Sequence, residues 1–330
     1  MKTKFNVSAS PHIRGKDTTA TIMRDVMIAL APAALFGVYQ FGLRALVILA
    51  LSVMSCVLSE YIYKKLMKIP SDGYECSAMV TGLLLGMNLS ANVPYWIPVL
   101  GGVFAIVVVK MLFGGLGQNF MNPALAARCF LLISAGRAMT DFAVDKIEAG
   151  SAAQLVFSGA AGLDGLSSAT PLAAIKAGES ASLFDMFFGF TGGTIGETSA
   201  FLILLGGIYL LVRRVISIRI PAAYLLSFVI FMGLFGGQGF DPEFLAMQVC
   251  GGGLMLGAFF MATDYVTSPI TPAGKIVFGI FLGILTGIFR VYGGSAEGVS
   301  YAIITGNILV PLIEKVTFPK SFGKGGKANV

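Results

Sequence analysis

The sequence predicts an all-α polytopic membrane protein: about ten transmembrane helices forming two inverted five-helix repeats, with an outer loop segment between the halves. Three observations predict it. Of the 330 residues, 56% are hydrophobic and only 12% charged, and the mean hydropathy is +0.83. A soluble domain carries about 25% charged residues, so this chain lacks the polar surface to cover itself in water. Apolar runs recur along nearly the whole length. Basic residues gather on alternate connections, so the net charge of +6 reads as an orientation signal at helix ends rather than a nucleic-acid footprint.

Taken in order, residues 1–20 form a basic polar lead (Lys2, Lys4, Arg14, Lys16) without the apolar core of a cleavable signal peptide. The first membrane repeat, 21–135, begins with spans near 23–39 and 43–63. A shorter, Gly-broken run near 77–89 follows, then a span near 94–113 and a fifth ending near 135. After an extracytoplasmic segment, 136–197, the second repeat, 198–314, holds spans near 198–212, 221–235, 243–262, 276–292 and 301–313, before a basic tail, 315–330. Short Gly-rich spans suggest helices that stop partway and leave backbone lining a buried cavity. With the N-terminus inside, inner connections hold Lys64, Lys65, Lys68, Arg213, Arg214, Arg219, Lys275 and the tail lysines. Outer connections hold only Arg44, Arg137, Lys146, Lys176 and Arg290. Both termini are therefore expected in the cytoplasm and the 136–197 segment outside. Five spans per half is an odd number, so the second half starts on the opposite side, as an inverted pair requires.

The informative part of the outer segment is Asp164-Gly165-Leu166-Ser167-Ser168-Ala169-Thr170-Pro171. Pro171 biases Thr170 away from helix, which predicts an exposed hydroxyl on an extended stretch. By local composition alone this is a surface turn. Asn119 and Asn122 precede Pro123, a residue suited to a first helical turn. Their amides can cap that helix, or read the edge of a planar polar ring through a donor and an acceptor each. Asp264, directly after an apolar span, is an ion-coupling candidate because intramembrane carboxylates are costly unless used; an interfacial cap is the competing role.

Other features carry less. The glycine pairs and the run Gly251-Gly252-Gly253 lack the Lys-Ser/Thr of a phosphate loop and read as close helix packing. Trp96 reads as an outer interfacial anchor. Cys56, Cys76, Cys129 and Cys250 are scattered, which argues against a disulfide framework. His12 alone builds no metal site.

The chain resembles the family of the D component of the Rnf complex, the ion-translocating ferredoxin:NAD oxidoreductase. It is similar, more distantly, to the B component of the sodium-pumping NADH:quinone oxidoreductase. Ser10-Pro11-His12, the Gly-rich stretch with Asn119 and Asn122, the run ending at Thr170, and Ala262-Thr263-Asp264 carry the resemblance. It implies FMN joined by a phosphoester to Thr170 within the flavinylation motif Asp164, Ser167, Ser168, Ala169, with Ser168 where Gly is usual. It also implies a second, non-covalent flavin (riboflavin or FMN) at Asn119 and Asn122. The expected role is electron transfer within a redox-driven Na+ or H+ pump, inactive alone. Expected partners are the other Rnf subunits, among them an outward-facing flavoprotein and a cytoplasmic NAD-binding subunit, together with membrane lipid and a flavin transferase. The alternatives are a B-type component of the quinone reductase, or a non-redox channel or transporter of the same inverted-repeat architecture.

Overall fold

A computed structural model describes residues 18–69, 76–142, 170–176, 182–293 and 298–319. These residues are helical apart from connections and one isolated antiparallel bridge, Ser90 to Thr194. Helix α1 (Thr19–Phe41) starts at a reciprocal cap: Thr21 N donates to Thr18 Oγ1 and Thr18 N donates to Thr21 Oγ1. It tolerates Pro32 within its span and ends at Gly42, whose φ of 73° turns the chain into α2 (Leu43–Leu66). Next come the short α3 (Ser77–Met87) and α4 (Trp96–Met111), whose second half, Phe104–Met111, winds as a π-helix. Asn122 and Pro123 start α5 (Pro123–Ser134), and a single turn, α6 (Gly136–Met139), follows it.

The connecting segment contributes α7 (Pro171–Lys176) and α8 (Leu183–Phe188). The remainder comprises α9 (Ala200–Val212), α10 (Arg219–Phe235), α11 (Pro242–Cys250), α12 (Leu254–Met261), α13 (Pro272–Tyr292) and α14 (Val299–Thr317).

Four described helices are long and apolar enough to cross a membrane: α1, α2, α13 and α14. A fifth crossing counts if α11 and α12 form one span, bent by 65° at Gly251-Gly252-Gly253. That is fewer full-length crossings than the roughly ten apolar runs suggest. A hydropathy run counts apolar residues, whereas spanning needs about 20 of them in one helix. The single span expected near 243–262 is broken because Gly252 and Gly253 adopt φ of 64° and 66°. Arg290, expected in a connection, instead lies 5% exposed in the last turn of α13.

The most extensive helix pairing is α10 on α13. Its core holds Tyr224, Phe228 and Phe278, with a hydrogen bond of 2.7 Å between the Tyr224 and Thr286 hydroxyls. Gly283 makes this approach possible: a Cβ there would fall 2.6 Å from the Tyr224 carbonyl oxygen and collide with Ser227 Oγ. A Gly283→Val substitution is accordingly expected to destabilise the fold by about 1–3 kcal/mol through overpacking. Thermal unfolding in detergent checks this; a variant melting with the wild type contradicts the packing argument. The α1–α9 crossing is similarly close, with Gly206 against the Ala29 carbonyl.

Candidate functional site: a Thr170 pocket joined to a buried polar seam

Thr170 precedes Pro171, the first residue of α7, and caps that helix. Ala173 N donates to Thr170 Oγ1 at 3.3 Å, and Ala174 N to the Thr170 carbonyl at 2.9 Å. Two contacts hold α7 in place. Leu172, 3% exposed, packs on the break between α11 and α12, where a Cβ on Gly252 would meet Leu172 Cδ2 at 2.7 Å. Lys176 Nζ donates to the carbonyls of Arg290 (3.1 Å) and Gly293 (2.6 Å). Docking of α7 corrects the expectation of an exposed hydroxyl: Thr170 is only 8% exposed. It lines a pocket with Thr191, Gly193, Glu197, Gly251 and Gly252. Asp164, Ser167, Ser168 and Ala169 lie outside the described residues.

The far wall of this pocket is tied to the centre of the molecule. Ile195 N and Gly196 N donate to the carbonyls of Leu89 and Met87 at the C-terminal end of α3. Glu197 Oε1 pairs at 2.6 Å with Arg128 of α5, which also donates to Asn88 Oδ1 at 2.6 Å. Both charged side chains are nearly dry, at 6% and 5% exposure. Asn88 in turn donates to the Leu84 carbonyl. Behind the pocket, Arg290 donates to the Gln248 and Gly251 carbonyls and stacks over the Phe228 ring at 4.9 Å, holding the bend between α11 and α12.

Asn122 sits on the same seam. Its Oδ1 accepts from Ala124 N (3.0 Å) and Leu125 N (3.3 Å), while Nδ2 donates to the Met261 carbonyl at 3.4 Å. Asn307 of α14, its amide oriented to satisfy its neighbours, donates to the Thr267 carbonyl and accepts from Asn122 N. Asn122 therefore caps α5 and joins it to the end of α12 and the middle of α14. Asn119, 6% exposed, donates to the Met121 carbonyl at 3.0 Å. Asp264 lies three residues past α12 and accepts from Thr267 Oγ1 at 3.1 Å. Tyr265 beside it donates to the Val215 carbonyl. The structure thus places Thr170 on one pocket, from which Glu197, Arg128 and Asn88 lead to the end of α12, where Asn88 Nδ2 meets the Met261 sulfur at 3.9 Å. Asn122 reaches the same residue, and Thr267 and Asn307 join Asp264 to Asn122.

Sequence reasoning missed three charged pairs. Arg128 with Glu197, Lys110 with Glu60, and Asp25 with Arg213 all form ion pairs, at 2.6, 2.7 and 2.9 Å. The signal for them was a lone charge inside an apolar run, as at Asp25, Glu60, Lys110 and Arg128.

An all-helical membrane protein with four or five candidate spans and a buried ionic seam is the class these features define. The model of the NQR2, RnfD, RnfE family matches residues 6–323, and the chain belongs to that family. It is 48% identical to the D component of the Na(+)-translocating ferredoxin:NAD(+) oxidoreductase complex of Acetobacterium woodii, over 97% of this chain and 95% of that one. It is 39% identical to the D component of the proton-translocating ferredoxin:NAD(+) oxidoreductase complex of Clostridium ljungdahlii, over 98% and 97%. With the D component of the ion-translocating oxidoreductase complex of Actinobacillus succinogenes it shares 37% identity, over 97% and 98%.

Proposed function

We propose that this chain is the D-type membrane component of a redox-driven Na+ or H+ pump, carrying electrons between ferredoxin and NAD through covalent FMN on Thr170 and a second flavin. The observation that carries the reading is the place of Thr170, on a glycine-lined pocket whose wall reaches the buried seam, in a chain with full-length kinship to components of ferredoxin:NAD(+) oxidoreductases. Polar groups and open space adjoin the attachment point: Thr191 and Thr198 bring hydroxyls to the pocket, and Gly193 has nothing within 4 Å of its would-be Cβ. Bound there, FMN supplies the electron-accepting and electron-donating chemistry. Thr170 supplies the attachment oxygen, Leu172 and Lys176 fix the helix that carries it, and Glu197 holds one wall against Arg128. For the second flavin, the capping work of Asn122 leaves Asn119 as the side chain better able to face a ring, with Asn122 shaping the entrance.

The inverted repeat belongs to the same proposal. Contacts of α1 with α3, α2 with α4, and α3 with α5 recur as α9 with α12, α10 with α13, and α12 with α14. Lys64 and Lys65 on α2 and Lys315 on α14 support cytoplasmic ends for those helices and an outward-facing Thr170 segment. The remaining subunits of the complex, including an outward-facing flavoprotein and an NAD-binding subunit, are the partners, and a flavin transferase loads FMN.

The test is ion uptake by membrane vesicles supplied with reduced ferredoxin and NAD. Vesicles from a strain lacking this chain should lose both NAD reduction and ion uptake, and regain both on complementation. Retention of both without the chain would sink the reading. Asp264, held by Thr267 next to the seam, is the coupling candidate. Asp264→Asn is expected to cut ion uptake by about tenfold or more while electron transfer persists; equal losses of both would remove it from the coupling step.

A further inference from the structure

Three helices converge on a second buried ionic cluster that uses none of the residues discussed so far as sites. Lys110 lies in the π-helical stretch of α4 and is 2% exposed. Its ammonium donates to Glu60 Oε2 on α2 at 2.7 Å and to Ser77 Oγ, at the first turn of α3, at 2.7 Å. Glu60, itself 8% exposed, accepts a second ammonium, that of Lys64, on its other oxygen at 2.8 Å. The two lysines are not equivalent: the Lys64 side chain is 21% exposed and the Lys110 side chain 3%. The cluster therefore has a wet side and a dry side. Beside it the α2–α4 contact is closed, since a Cβ on Gly102 would collide with Ser55 Oγ.

Packing alone does not account for this arrangement. Burying an ion pair costs several kcal/mol per ion before attraction is counted, and a well-packed apolar pair often serves stability as well or better. Ionisable groups inside a membrane protein mark ion pathways far more often than structure, and π-helical turns concentrate at functional sites. The oxygens gathered here, two from a carboxylate and one from a hydroxyl, are hard ligands of the kind that hold Na+ or a proton.

We propose that Glu60, Ser77 and Lys110 form a cation-exchange station, in which the Lys110 ammonium holds the place on Glu60 that a transported monovalent cation takes. When the cation arrives from the Lys64 side, Lys110 releases one proton to that aqueous side and the local charge is unchanged. If the carried ion is H+, the same neutral state forms when the Lys110 proton passes to Glu60, and the proton that Glu60 then gives up onward is replaced from the Lys64 side. The station rests on the ion-pump reading above.

The experiment uses the whole complex in inverted membrane vesicles driven by reduced ferredoxin and NAD, following NAD reduction, radioactive Na+ uptake and acidification together. A protonophore separates primary Na+ uptake, which survives it, from H+ pumping, which does not. The double variant Glu60→Gln/Lys110→Met removes the pair without stranding a buried charge. Lys110→Arg keeps the charge and the pairing but cannot release a proton. Both variants are expected to assemble and to keep NAD reduction within about twofold of the wild type, while ion uptake falls by about tenfold or more. Wild-type ion uptake in either variant would overturn the station. So would failure of the double variant to accumulate, because the pair would then serve folding. A wild-type complex that couples no ion uptake to ferredoxin oxidation would instead refute the pump reading itself.

Discussion

An Arg128→Met variant should be destabilised by about 3–5 kcal/mol, the usual consequence of removing one partner from a buried ion pair. The cost is large because Glu197, at 5% side-chain exposure, would lose its guanidinium partner. Asn88 Oδ1 would lose its 2.6 Å donor at the same time. The damage should spread to the pocket, since the segment carrying Glu197 is stitched to α3 by Ile195 N and Gly196 N. A paired Arg128→Met/Glu197→Leu change should recover most of the loss, because it leaves no unpartnered charge. Thermal unfolding of the purified protein in detergent decides the matter. If the single and double variants melt alike, the ion pair does not hold the seam.

The second large effect is expected at Thr170. Thr170→Val removes the only side-chain oxygen at this position and, on the proposed function, abolishes ferredoxin-dependent NAD reduction. Its structural cost is small by comparison. Losing the Thr170 cap on α7 costs about 1 kcal/mol, while Leu172 and Lys176 still dock the helix. The variant should therefore assemble at near-normal levels and be inert. Thr170→Ser keeps the oxygen and should retain part of the activity. Wild-type rates in Thr170→Val membranes would exclude an essential group at this residue.

Much of the architecture is legible in the sequence because one force dominates it. Apolar run length marks the helices, and Pro123 after Asn122 marks the start of α5 together with its cap. Span count is less legible, because hydropathy does not register where a helix stops. The bend at Gly252 and Gly253 depends on backbone conformation inside a run that stays apolar throughout. Thr170 stands out by its motif, yet its burial does not, since that depends on Leu172 meeting a break formed about eighty residues later. The ion pairs are half legible. A lone Lys110 or Arg128 in an apolar stretch announces a partner, but only the packing of α2 on α4, and of α5 near Glu197, says which.

Covalent flavin at Thr170 is read out on the denatured protein. The wild-type and Thr170→Val proteins are purified from a host that contains the flavin transferase, unfolded in detergent, and compared by in-gel flavin fluorescence and intact mass. Fluorescence should stay with the wild-type band and its mass should be raised by one phosphoester-linked FMN, with neither in the variant. An unmodified wild-type mass, or fluorescence that persists in Thr170→Val, would contradict it.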